Sequence, residues 1–248
     1  SLFICGLAYI FRIFHRPLHA MPSFNDALIH VQQQIHIAAK KYGRPEEDIH
    51  LLAVSKTQPA ETIAAAFALG QTAFGENYLQ EAREKQEALA HLPIEWHFIG
   101  PIQSNKTREI AEHFSWVHSV DRLKIVTRLS QQRPVHLPPL NICLQVNLDD
   151  ETSKSGVALQ ELEQLAIATI QLPNVKLRGL MAIPKKATDI TQQRAAFATL
   201  ARSLKQLSSI ALLDTLSMGM SNDMEAAIAE GATIVRVGSA IFGARKNQ

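Results

Sequence analysis

Apolar positions after Ser23 recur at helical spacing. Leu28, Val31, Ile35 and Ala38 or Ala39 fall on one helix face, and Gly43 and Pro45 close that segment. Beyond it, short apolar runs alternate with amphipathic stretches. The runs predict strands at His50–Ser55, Thr72–Phe74, Glu95–Ile99, Trp116–Val120, Asn141–Val146, Lys176–Ala182, Asp214–Met218 and Thr233–Val237. The stretches between them predict helices at Ala60–Leu69, Gln80–Ala90, Lys106–His113, Leu123–Gln132, Leu159–Gln171, Thr191–Leu207 and Met224–Glu230. Strict alternation of strand and helix implies a parallel sheet with right-handed crossovers. Eight such units close into a (β/α)₈ TIM barrel, here with an extra N-terminal helix. An open doubly wound sheet is the competing fold, but no G-x-G-x-x-G follows the first strand.

The first twenty residues break this pattern. Leu2 to Phe11 is almost continuously apolar and is followed by Arg12, His15, Arg16 and His19. The run is too short to span a bilayer, and its positive charge follows the apolar stretch where a secretory signal would have it first. We read 1–20 as an extension foreign to the domain and 21–248 as one barrel domain, with a membrane-surface anchor as the alternative for the extension. At 46% hydrophobic and 19% charged, with a formal net charge of +2, the chain has an ordinary globular composition. No strong field advertises nucleic acid or a membrane as partner. Two cysteines, Cys5 and Cys143, make no disulfide framework and no metal-ligand spacing, which fits a reducing, cytoplasmic setting.

In such a barrel the chemistry sits at the C-terminal ends of the strands. Lys56 directly follows the apolar first strand, which would set its amine over the barrel interior. Burial disfavours the charged ammonium, and Schiff-base formation needs the neutral amine. A solvated lysine at a strand end is the plainer reading. The seventh strand runs into Ser217-Met218-Gly219-Met220-Ser221-Asn222-Asp223, and the eighth ends at Arg236-Val237-Gly238-Ser239. These are the two loops where barrels hold phosphate. Ser221 either caps the next helix or donates to a phosphate oxygen, and Gly238 and Ser239 offer a second small turn. Arg236 alternates with Val235 and Val237 and so points inward. It pairs with a buried carboxylate such as Glu76, or it donates to the pyridine nitrogen of bound pyridoxal 5'-phosphate (PLP). Asn77, after the second strand, is placed to reach the cofactor's ring hydroxyl. His97 stands apart from any acid or second histidine and reads as a hydrogen-bonded core residue.

The sequence resembles the PLP homeostasis proteins (the YggS/PROSC family), single-domain barrels similar to the N-terminal domain of alanine racemase. The resemblance runs from about Met21 to Arg245. It rests on Ala53-Val54-Ser55-Lys56-Thr57, Phe74-Gly75-Glu76-Asn77-Tyr78 and the run from Trp96 through Gly100-Pro101-Ile102-Gln103-Ser104-Asn105-Lys106. It continues in Ser153-Lys154-Ser155-Gly156, Arg178-Gly179-Leu180-Met181, Ser217 to Met224 and Val235-Arg236-Val237-Gly238. The resemblance implies that Lys56 forms the Schiff base and that Asn77 contacts the ring side. It also implies that Ser221, Gly238 and Ser239 hold the phosphate, and that Arg236 faces the pyridine nitrogen. Lys154 is a candidate second amine.

A carrier or regulator in vitamin B6 homeostasis follows, rather than an enzyme. An arginine at the pyridine nitrogen makes the ring a weaker electron sink than a carboxylate does. Alanine racemase shares that arginine but supplies an opposing tyrosine from a second domain, for which this chain shows no counterpart. Tyr78 alone would be a poor racemase base. A PLP-dependent amino-acid racemase or lyase remains the alternative, and a Schiff-base aldolase on a phosphorylated sugar the third reading. The expected partners are PLP and, transiently, apo PLP-dependent enzymes, with the chain a monomer.

Overall fold

The computed structural model describes residues 24–149 and 155–243. The segment 1–20 and Lys154 lie outside them. The first helix, α1 (Phe24–Lys41), buries Leu28, Val31, Ile35, Ala38 and Ala39, the face its periodicity marks. Eight strands then form the barrel. They are β1 (His50–Val54), β2 (Ala73–Glu76), β3 (Glu95–Phe98), β4 (Trp116–Val120), β5 (Leu140–Asn147), β7 (Val175–Met181), β8 (Thr215–Ser217) and β9 (Ile234–Val237). Each pairs in parallel with its neighbours, and the β4–β5 and β1–β9 pairings close the ring.

The helices α2 (Ala60–Ala68), α3 (Leu79–Ala88), α4 (Thr107–His113), α5 (Leu123–Gln132), α6 (Leu159–Ile170), α7 (Ile190–Gln206) and α8 (Met224–Ala229) alternate with the strands. Besides three 3-10 turns, two short elements have no sequence signal. One is β6 (Val157–Ala158), which pairs on β5 outside the ring; the other is α9 (Ser239–Phe242). Strand β2 also runs two residues past its expected end, through Gly75 and Glu76.

Strand alternation divides the apolar residues into two layers. The large layer lies between strands and helices and holds Ala53, Phe74, Phe98, Val117, Leu144, Leu180, Val235 and Val237. A small interior cluster takes Leu52, Trp116, Cys143, Met181 and Ile234, with Ala73 and Ile99 against it. Each fully buried Leu or Ile contributes roughly 1.5–3 kcal/mol by leaving water. The barrel is drawn tight where β7 meets β8: a Cβ on Gly179 would stand 1.8 Å from the Thr215 carbonyl oxygen. Helix α1 covers α8 and α9, with Phe24 stacked on Phe242 at 5.5 Å. Arg44 donates to the Ile228 and Ala232 carbonyls at 2.9 and 3.1 Å.

One buried ionic cluster fixes the end of β1. Lys85, on α3, donates to Glu76 Oε1 and to the Ser55 carbonyl, both at 2.8 Å, and also to Glu81. The Ser55 hydroxyl donates to Glu76 Oε1 at 2.6 Å, and the Thr57 amide donates to Glu81. Both neighbours of Lys56 are therefore tied to one cation. Thr57 has φ +66°, a left-handed conformation that costs a β-branched residue about 1 kcal/mol or more and persists only where its surroundings enforce it. Burial pushes the Glu76 carboxyl above its ordinary range, against the opposing pull of Lys85 and Ser55.

Removing one partner of a buried pair leaves an uncompensated charge. Lys85→Met should cost about 3 kcal/mol of stability at neutral pH, and adding Glu76→Gln should restore part of it. The proton affinity of Glu76 is raised in the fold, so this acid favours the folded state below its unfolded range and loses that contribution as pH rises through the folded value. Urea midpoints should therefore show the single variant's deficit shrinking as the pH falls. A deficit that grows on acidification would contradict the assignment.

Candidate functional site

Parallel pairing places β1 between β9 and β2. Val54 is paired with Gly75, and the Ser55 amide donates to the Gly75 carbonyl at 3.0 Å. Two residues on, Lys56 reaches the level of Asn77. On its other side, the β1–β9 register ends at Ala53–Val237, and a Cβ on Gly238 would lie 3.1 Å from the Val54 carbonyl. Half-buried Lys56 thus stands at the barrel mouth between Asn77 and the Gly238-Ser239 turn.

Asn77 follows Ala73 and Gly75 on the inward face of β2. Its Oδ1 is buried and accepts no hydrogen bond, a cost the fold carries at a place where a ligand hydroxyl would satisfy it. A Cβ on Gly100 would come 2.1 Å from the Asn77 carbonyl oxygen, so the two backbones pack in contact.

The expected phosphate loops also converge. The Ser221 and Ser239 hydroxyls lie 3.4 Å apart. The first N–H groups of α9, which begins at Ser239, have no intrahelical acceptor. Gly219 takes φ +94° and packs so closely that a Cβ would meet the Ala227 Cβ at 2.5 Å. Ser221 does not cap the following helix. Asp223 occupies that position, and its carboxylate accepts from the Met220 amide at 2.6 Å, which leaves the serine hydroxyl turned toward Ser239. Burial pushes the Asp223 carboxyl up, with the Met220 hydrogen bond and the charge of Arg236 opposing it.

Arg236 points inward and is 4% exposed. Its partner is not Glu76, which faces the helix layer and is held by Lys85. Instead Nη1 donates to the Ser217 hydroxyl at 2.8 Å and Nη2 to the Ala182 carbonyl at 3.0 Å. Burial lowers its pKa to about 10, so it remains a cation at neutral pH. Beyond Ala182, a cavity of about 530 Å³ opens between the ends of β5 and β7, lined by Gln145, Asn147 and Lys186 among others.

Two expectations need correction. Glu76 does not pair with Arg236, because the alternation that turns Asn77 inward turns Glu76 outward. His97 is buried and hydrogen-bonded but not isolated: its Nδ1 lies 2.8 Å from His118 Nε2 and its Nε2 lies 2.8 Å from Glu95 Oε1. His118 and Ser217 were not singled out from sequence, since nothing in a one-dimensional pattern joins β4 to β8. Lys85 was also missed. Its i, i+4 spacing to Glu81 resembles an ordinary surface pair.

The alanine racemase N-terminal domain pattern matches residues 28–246. A pyridoxal phosphate homeostasis protein of Pseudomonas aeruginosa is 60% identical over 225 residues, covering 91% of this chain and 97% of that protein. The Escherichia coli protein of the same name is 53% identical over 222 residues, covering 88% and 95%. The structure of PipY from Synechococcus elongatus with PLP bound is 38% identical, with a TM-score of 0.76, and covers 89% of this chain and all of its own. Alanine racemase of Corynebacterium glutamicum shares the fold at 17% identity and a TM-score of 0.68, with 62% of its chain covered. The chain belongs to the pyridoxal phosphate homeostasis protein family.

Proposed function

We propose that this protein binds PLP through Lys56 and acts as a carrier or regulator of the cofactor in the cytoplasm, without turnover of its own. The observation that carries the reading is the meeting of three groups at one barrel mouth. A lysine with both chain neighbours clamped stands between a buried, unsatisfied Asn77 Oδ1 and a turn where two serine hydroxyls converge. In this reading Lys56 supplies the amine for the Schiff base, Asn77 orients the ring, and Ser221, Gly238 and Ser239 hold the phosphate. Arg236 meets the pyridine nitrogen. PLP supplies an aldehyde to the amine and an electron-withdrawing ring.

Support comes from the relatives. PipY is described with PLP bound, and the curated relatives are named for PLP homeostasis, not for a reaction. Those relatives align over nearly their whole length, whereas the racemase aligns over less than two thirds of its own. A cation at the ring nitrogen keeps the bound ring a weak electron sink, which suits storage. No helix among the described residues is long and apolar enough to cross a membrane. We further propose that the protein is a monomer that meets apo PLP-dependent enzymes only transiently.

Protein incubated with PLP and then borohydride should carry the reduced adduct on the peptide containing Lys56. Lys56→Ala should lose it. A label on another lysine, or none, would overturn the assignment. Asn77→Ala should raise the PLP dissociation constant about fivefold, the loss of about one hydrogen bond, with unchanged thermal stability. Amino-acid turnover that vanishes in Lys56→Ala would establish an enzyme and contradict the carrier role.

A further inference from the structure

Five side chains from four strands form one unbroken hydrogen-bonded line through the barrel. Arg236 Nη1 donates to Ser217 Oγ at 2.8 Å, and Ser217 Oγ lies 2.7 Å from His118 Nδ1. His118 Nε2 lies 2.8 Å from His97 Nδ1, and His97 Nε2 lies 2.8 Å from Glu95 Oε1. The four inner groups are buried, while the Glu95 side chain is half exposed. Glu95 opens on a cavity of about 800 Å³ at the opposite pole of the barrel, which Trp116, Arg178 and Asp214 also line. The line therefore joins the cofactor end of the barrel to its base.

The ends fix the direction of every bond between them. A guanidinium only donates and a carboxylate only accepts, and a neutral imidazole has one N–H and one bare nitrogen. Glu95 must accept from His97 Nε2–H, so His97 Nδ1 is bare and must accept from His118 Nε2–H. His118 Nδ1 is then bare and accepts from the Ser217 hydroxyl, whose oxygen accepts from Arg236. Burial holds both imidazoles below their ordinary range, consistent with neutral rings. Reversing either neutral ring would set two acceptors or two donors against each other at hydrogen-bond distance. Aligned dipoles of this kind polarise one another.

We propose that Ser217, His118, His97 and Glu95 are positioning residues for Arg236. They form a one-way relay that orients its guanidinium toward the cofactor ring, while Asp223 supplies the nearer negative charge. The inference rests on the cofactor reading above. In this reading none of the four touches the ring. Each acts through the next, and the Glu95 carboxylate is the negative terminus that favours this arrangement.

Three measurements on the full chain decide it. Histidine ¹⁵N spectra of the cofactor-free protein at neutral pH should show His97 and His118 both as the Nε2–H tautomer. An Nδ1–H tautomer at either overturns the relay, whatever becomes of PLP. In the PLP-loaded protein, Glu95→Gln keeps an acceptor and removes the charge, and should shift the visible absorption band of the bound cofactor. His118→Leu should weaken PLP binding about fivefold, as expected for the loss of one neutral hydrogen bond behind Ser217, and His118→Gln, which retains a donor and an acceptor, should recover most of it. If His118→Leu does not fold, the ¹⁵N spectra and Glu95→Gln still decide. Loss of the band in an Arg236→Leu control, with no change in Glu95→Gln and His118→Leu, overturns the relay and leaves the cofactor reading standing. Absence of a Lys56 adduct in the unaltered protein overturns the cofactor reading and the relay's purpose with it.

Discussion

A cation inside a closed barrel has few places to find its counter-charge. Eight strands send alternate side chains into one narrow interior, and Arg236 occupies that interior at 4% exposure. An unpaired guanidinium there would cost several kcal/mol. The fold meets this with the charge of Asp223 and with acceptors drawn from the other strands: the Ala182 carbonyl after β7, Ser217 on β8 and, through it, two histidines and Glu95. Polar residues consequently take much of the interior, and the apolar cluster inside the ring is small. Most hydrophobic stabilisation lies between strands and helices.

The same geometry organises the mouth. Because β1 is flanked by β9 and β2, a residue just past β1 is bracketed by the turns that follow those two strands. Lys56 takes that position with little freedom, since Ser55 and Thr57 are both anchored to the cluster around Lys85. In the proposed role, two buried cations serve the site from opposite sides of the strand layer. Lys85 stiffens the chain around the amine from outside, and Arg236 faces the mouth from inside. In the proposed role, an amine held in place and a ring kept electron-poor only to a limited degree suit a reversible bond that stores the cofactor.

Local pattern carried most of the fold. The α1 face and all eight barrel strands followed from apolar spacing, and the rule that chemistry gathers at strand C-termini selected Lys56, Asn77, Ser221, Arg236, Gly238 and Ser239, which the fold does bring to one end. Elements of two to four residues, such as β6 and α9, have no period to read. The extension of β2 was hidden because Gly75 breaks the apolar run. The relay was invisible for a different reason: His97, His118, Ser217 and Arg236, on four different strands, meet only once the ring closes. The role of Lys85 was hidden because an i, i+4 pair on a helix is ordinarily solvated.

The proposed site is best tested by a high-resolution structure of the protein soaked in PLP. Continuous density should run from the Lys56 amine to the cofactor, with the phosphate between Ser221 and Ser239 and Arg236 still held by Ser217 with a guanidinium N–H turned to the ring nitrogen. A phosphate bound elsewhere, or an Arg236 turned away from the ring with Lys56 unmodified, would contradict it.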